Sequence, residues 1–119
     1  MEYRIEKKEL PIALIELSGR MIGEYQVVDL SDDINELIEE GFVYLIFELS
    51  QLEFINSTGL NFFLKTLTKV RRHDGEVVLT NLNELLNTLM VTTKLNSFFV
   101  IEKTGPDPVA YFKEKGNIL

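Results

Sequence analysis

With 119 residues, 45% of them hydrophobic and no cysteine, the chain suits one domain with one core over residues 1–119, and disulfides and thiolate metal sites are excluded. The formal net charge of −7 argues against direct nucleic-acid binding, which needs a basic surface to neutralise phosphates; any influence on transcription is expected to pass through another protein. No apolar run approaches the roughly 20 residues of a membrane span, and Met1-Glu2-Tyr3-Arg4-Ile5 lacks the form of a signal peptide, so a cytoplasmic protein without a membrane span is expected.

Along the chain, Met1, Tyr3 and Ile5 alternate with Glu2, Arg4 and Glu6, the pattern of a half-exposed strand. Lys7-Lys8-Glu9 leads through Leu10-Pro11 to a second run, Ile12 to Leu17, which Ser18-Gly19 should end. The two runs read as a hairpin at a sheet edge, where alternation and lysines are expected. Val27, Leu30, Ile34, Leu37 and Ile38 recur at helical spacing, with Gly41 as the stop. Val43 to Phe47 is apolar without alternation and predicts a central parallel strand covered on both faces. Leu60, Phe63, Leu64, Leu67 and Val70 predict a second helix ending near Asp74-Gly75. Val77 to Leu79 follows as a buried strand, then Leu85, Leu86, Leu89 and Met90 as a third helix. Phe98 to Ile101 should form the last strand, and Asp107-Pro108 should cap a short helix carrying Val109 and Phe112. The alternation predicts an α/β fold: a mixed sheet of about five strands with helices packed on it.

The segment Phe54-Ile55-Asn56-Ser57-Thr58-Gly59-Leu60 stands out. A strand delivers two hydroxyls and a glycine to a helix N-terminus, where free N–H groups and the helix dipole favour negative charge. A phosphate on Ser57, or on Thr58 as the second choice, would sit well there. The bland reading is that Asn56-Ser57-Thr58 simply caps the helix. Gly59 would allow close approach of a partner or of the adjoining strand.

Glu48-Leu49-Ser50, Leu52, Phe54-Ile55 and Asn56 to Leu60 together resemble the signature of STAS domains, and among them the anti-sigma factor antagonists of bacteria. Val77-Val78-Leu79 with Asn81, the leucine pairs, Leu95, Phe98-Phe99 and the early Leu17-Ser18-Gly19-Arg20 extend the likeness over roughly the whole chain. There is no Walker glycine loop, serine elbow or Rossmann fingerprint, so neither an enzyme nor a cofactor is expected. The resemblance implies as partner an anti-sigma factor serine kinase, which phosphorylates Ser57, with a phosphatase to reverse the step. Docking of the unmodified form would release a sigma factor. The implied contact surface is Ser18, Gly19, Asn56, Ser57, Thr58, Gly59 and Asn61. Asn56 and Glu48 stand where the family commonly has aspartate, and Ile22-Gly23 replaces its usual acidic residue. Two alternatives stay open: a STAS module of a transporter or stress-signalling complex that is never phosphorylated, and a small-molecule sensor with a pocket at the strand ends.

Other chemistry is sparse. His73 is the only histidine and has no partner at metal-ligand spacing. Asp32-Asp33 and Glu39-Glu40 lie on a predicted helix, where adjacent carboxylates diverge, so a solvated face is the simpler reading. Lys69, Arg71 and Arg72 fall in the last turn of the second helix, a favourable place for cations. Asn56-Ser57-Thr58 also matches the N-glycosylation pattern, which has no meaning without secretion.

Overall fold

A computed structural model describes residues 1–115. β1 (Glu2–Lys7) and β2 (Ile12–Met21) form the antiparallel hairpin, with Tyr3 opposite Leu17 and Ile5 opposite Ile15. There follow α1 (Glu24–Glu39), β3 (Tyr44–Ile55), α2 (Ser57–Arg71), β4 (Glu76–Thr80), α3 (Glu84–Thr92), a 3-10 turn at Leu95–Ser97, β5 (Val100–Glu102) and α4 (Pro108–Glu114). The sheet order is β1-β2-β3-β4-β5, with β2 to β5 mutually parallel. Parallel neighbours cannot be joined by a tight turn, so a helix fills each connection.

Strand alternation sorts the core into two layers. Ala13, Ile15, Leu45, Phe47, Val77 and Leu79 face α1, α2 and α3, which contribute Leu30, Ile34, Phe62, Phe63, Leu67, Leu86 and Met90 among others. Phe47 takes the edges of Phe62 and Phe63 at centroid distances of 6.1 and 5.1 Å, a favoured aromatic geometry. On the opposite face Ile12, Leu14, Ile46 and Val78 are covered by Val109 and Phe112 of α4. Cover on both sides is why these strands lack polar alternation. The cap expected for α4 is present: Asp107 Oδ1 accepts from the Ala110 N–H at 3.1 Å, with Pro108 in the first turn.

Several boundaries differ from expectation, each for a physical reason. Ser18-Gly19 does not end β2; the strand continues to Met21 through irregularities between Glu16 and Ser18 and between Gly19 and Arg20. Gly19 takes φ +85, a conformation that favours glycine. β3 runs to Ile55 rather than stopping at Phe47. Its pairing with β4 ends at Glu48 opposite Thr80, whereas pairing with β2 continues to Met21 opposite Ile55. Beyond Glu48 β3 keeps β2 as its single neighbour, and past Gln51, where β1 has also ended, the sheet is a two-stranded ribbon, so Ser50, Gln51 and Glu53 are exposed and hide the strand signal. The buried face of α2 is centred on Phe62, Phe63, Thr66, Leu67 and Val70, with Leu60 and Leu64 at its margins. Leu85 is exposed, leaving Leu86 and Met90 to anchor α3. The last strand starts at Val100 because the 3-10 turn occupies the chain just before Phe98.

Candidate functional site

The β2–β3 ribbon carries the chain into α2, and Asn56 fixes the corner. Its side-chain oxygen accepts from the N–H groups of Thr58 (3.0 Å) and Gly59 (3.4 Å). Its amide Nδ2 donates to the Ile22 carbonyl at 2.9 Å, and its backbone N–H donates to the Met21 carbonyl at 3.3 Å. Asparagine has both the acceptor that caps a helix and the donor that reaches a carbonyl; aspartate has only the acceptor. The two sides of the amide thus account for asparagine here.

Ser57 is the first helical residue and is exposed. Capping belongs to Asn56, so the Ser57 hydroxyl is left uncommitted to the cap. The expectation of several free N–H groups needs correction. Asn56 engages those of Thr58 and Gly59, and the Leu60 N–H donates to the Asn56 carbonyl at 3.0 Å. A phosphate on Ser57 would draw on the helix dipole and solvent, with further N–H donors only if the Asn56 oxygen gave way.

Thr58 is half-buried and Asn61, one turn on, is exposed. Gly59 is buried: a Cβ there would lie 2.9 Å from Ile55 Cβ and 3.0 Å from Met21 Sδ. Its lack of a side chain serves the packing of helix on strand, which removes it from the surface available to a partner. Ser18 and Gly19 lie opposite Gln51 and Leu52, back along the ribbon, and the residues bonded to the turn are Met21 and Ile22.

Sequence reasoning missed the apolar surface beside this turn. Ile22, Tyr25 and Val28 are 47%, 80% and 54% exposed. A signal existed: at about 100° per residue, Tyr25 and Val28 fall opposite the buried stripe of Leu30, Ile34 and Leu37, so they are apolar on the wrong face. Val28 also lines a groove of about 290 Å³ between α1 and α2, together with Val27, Thr58, Asn61, Lys65 and Lys69.

Several of the remaining singled-out residues have structural partners. Glu48 accepts from the Ser50 N–H (2.6 Å) and from Asn81 Nδ2 (2.8 Å), and Asn81 in turn accepts from the Thr104 N–H at 2.8 Å. This clamp ties β3 and β4 to the segment before α4. Asp33 accepts from the Tyr3 hydroxyl at 2.6 Å. That bond, then burial and then the charges of Asp33, Asp29 and Asp32, push the Tyr3 hydroxyl up to about 12. Glu40 pairs with Lys7 at 2.6 Å, a second tie from the α1 region to the edge strand. Arg71 donates to the Phe98 carbonyl at 2.9 Å and pairs with Glu76, and His73 is exposed at the end of α2. An open groove of about 510 Å³ over the middle of β2 and β3 includes Arg4, Glu16, Glu48 and Ser50, with Arg4 already paired to Glu16 at 3.0 Å. Among the described residues no helix is long and apolar enough to cross a membrane.

The family model for the STAS domain matches residues 4–107. Among solved structures the fold is similar to the anti-sigma factor antagonist SpoIIAA in its unphosphorylated form, at 18% identity over 97% of this chain and 99% of that one, with a TM-score of 0.75. It is also similar to the phosphorylated form of the Bacillus cell fate determinant SpoIIAA, at 14% identity over 96% and 99%, with a TM-score of 0.68. A sulfate transporter family protein from Wolinella succinogenes is alike to a similar degree, at 15% identity over 95% and 93%, with a TM-score of 0.75. These likenesses establish the fold alone, and no curated protein sequence matches the chain. The match of the family model across most of its length means that the chain belongs to the STAS domain family.

Proposed function

We propose that this STAS domain is an anti-sigma factor antagonist: unmodified, it docks on an anti-sigma factor kinase and so releases a sigma factor, and phosphorylation of Ser57 ends the interaction. The observation that carries this reading is the division of labour at the start of α2. Asn56 takes the capping role and bonds to the exposed Ile22, Thr58 shares a groove with the exposed Val28, and the Ser57 hydroxyl between them is exposed. An apolar patch supplies contact area, and a hydroxyl at its border is where an added charge changes affinity without refolding the domain.

The magnitude suffices. A phosphate adds about −1.5 to −2 charge at neutral pH. A partner carboxylate about 4 Å away, at an effective dielectric of about 20, is repelled by roughly 4 kcal/mol per unit charge. Half of that is more than a tenfold loss of affinity. The SpoIIAA fold occurs in both phosphorylated and unphosphorylated forms, which supports a switch that leaves the backbone in place.

The transporter-family neighbour favours a second reading, a constitutive docking module with no phosphate on Ser57. Affinity capture from the source cells with Ser57→Ala and Ser57→Asp baits separates the two. The switch predicts an ATP-binding kinase retained by the first and lost from the second. Equal recovery of one partner by both baits supports the constitutive module.

A further inference from the structure

The exposed side of α2 carries a feature that the Ser57 turn does not account for. Asn61, Lys65, Thr68, Lys69 and Arg72 follow Ser57 at spacings of three and four, which at about 100° per residue confines them to one face. Lys65 and Arg72 are exposed and Lys69 is half-buried. None of these three cations joins an ion pair among the described residues, a state they share with Arg20, Lys94 and Lys103, which are scattered and not aligned on one helix. Lys69 donates instead to the neutral Asn35 at 3.0 Å. Two shallow depressions follow this row. One holds Thr58, Asn61, Lys65 and Lys69 against Val27, Val28 and, at one end, Glu24 of α1; the other runs over Leu64, Lys65, Thr68, Lys69 and Arg72. The placement of Lys69, Arg71 and Arg72 at the negative end of the helix explains why cations are tolerated there. It does not explain Lys65, near the middle of α2, or the alignment of the row with Ser57.

We propose that this row is a docking track for an acidic, amphipathic segment of a protein partner. Carboxylates of the segment would lie along Lys65, Lys69 and Arg72, and its apolar side chains would enter the groove walled by Val27 and Val28. Charge selects the occupant. The row is a narrow positive strip on a chain of net charge −7; on α1, Glu24 lines the groove itself and Asp29, Asp32 and Glu36 lie round the helix toward the edge strand. A uniformly charged polyanion, such as a nucleic acid or an anionic membrane, would meet α1 as well as α2 and be repelled. A segment with acids on one side only matches both helices. The inference rests on the proposed function in placing that partner against the Ser57 turn. An acidic partner also supplies the negative charge that a phosphate at the head of the row would repel.

The test uses the isotope-labelled full chain and four probes. They are a synthetic amphipathic helical peptide with glutamates on one face and leucines on the other, its lysine-for-glutamate counterpart, vesicles of anionic phospholipid, and a single-stranded oligonucleotide. The glutamate peptide should bind saturably and shift amide resonances from Thr58 to Arg72. Binding should weaken about tenfold as ionic strength rises from ~0.01 to ~0.15 M, which shortens the Debye length from about 30 to about 8 Å. It should weaken at least about tenfold in the K65E/R72E double variant, which should stay folded with a modestly lowered thermal midpoint because an acid replaces Arg72 at the negative end of α2. Absence of saturable binding, equal binding by K65E/R72E, equal binding of the lysine peptide, or binding of vesicles or oligonucleotide in place of the glutamate peptide would each overturn the track. The Ser57 reading fails separately, through equal capture by the Ser57→Ala and Ser57→Asp baits, which leaves the peptide result intact.

Discussion

α1 and α2 lie side by side on one face of the sheet and are 16 and 15 residues long, yet they carry opposite charge. α1 has Glu24, Asp29, Asp32, Asp33, Glu36 and Glu39 and no lysine or arginine; α2 has Lys65, Lys69 and Arg71 and no acid. Both bury an apolar stripe in the same core. They also start differently. α2 is capped by the Asn56 side chain, whereas α1 starts at Gly23, and the Gln26 oxygen reaches back to the N–H groups of Ile22 (2.8 Å) and Gly23 (2.9 Å). The fold constrains the inward stripe of each helix and leaves the outward face open to another use. Differences in charge and in stray apolar residues between two equivalent helices therefore point to function.

If this division is right, the cost of a substitution follows the inward stripe. The largest effect is expected for Phe63→Ala. It empties a fully buried ring position against Phe47 and should cost about 3–5 kcal/mol in denaturant unfolding. Gly59→Val comes next at about 1–3 kcal/mol, because the added carbons meet Ile55 and Met21. A native-like midpoint for this variant would break the account of how α2 sits on the ribbon. Asn56→Ala should cost about 1–2 kcal/mol, since it removes the cap of α2 and the bond to Ile22 together. Thermal unfolding of Gln26→Ala beside it sharpens the comparison, and the α2 start is expected to be the more sensitive.

The smallest effect belongs to the α1 side. Tyr3→Phe removes the bond to Asp33 and should cost about 0.5–1.5 kcal/mol near neutral pH. The hydroxyl is raised from its ordinary 10.0 to about 12, so the folded state holds this proton more tightly than the unfolded chain does. Its stabilisation is complete below pH 10.0 and is lost as pH rises through the window up to about 12. The stability gap between parent and Tyr3→Phe should therefore shrink across that window, and a constant gap would remove Tyr3 from the account.

Much of this was legible in the sequence because burial on both sheet faces leaves uninterrupted apolar runs. Val43 to Phe47 and Val77 to Leu79 read as central strands, and Asp107-Pro108 read as a helix start. The second half of β3 was not legible. Past Glu48 only β2 flanks it, and exposed Ser50, Gln51 and Glu53 mask the strand period. The family pattern located the Ser57 turn, but the function of Asn56 became readable only when Ile22, distant in sequence, was seen to accept from its amide. That α4 covers the opposite face was equally beyond local pattern, since the spacing of Val109 and Phe112 gives a stripe and not the surface it meets.

The central claim is that Ser57 is a phosphate-bearing switch, and the most direct test is phosphopeptide mapping of the protein purified from its own cells across growth and stress conditions. The account predicts one phosphate on the peptide that contains Ser57, varying with condition and absent from Ser57→Ala. An unmodified Ser57 under every condition, or phosphate confined to another residue, would contradict it.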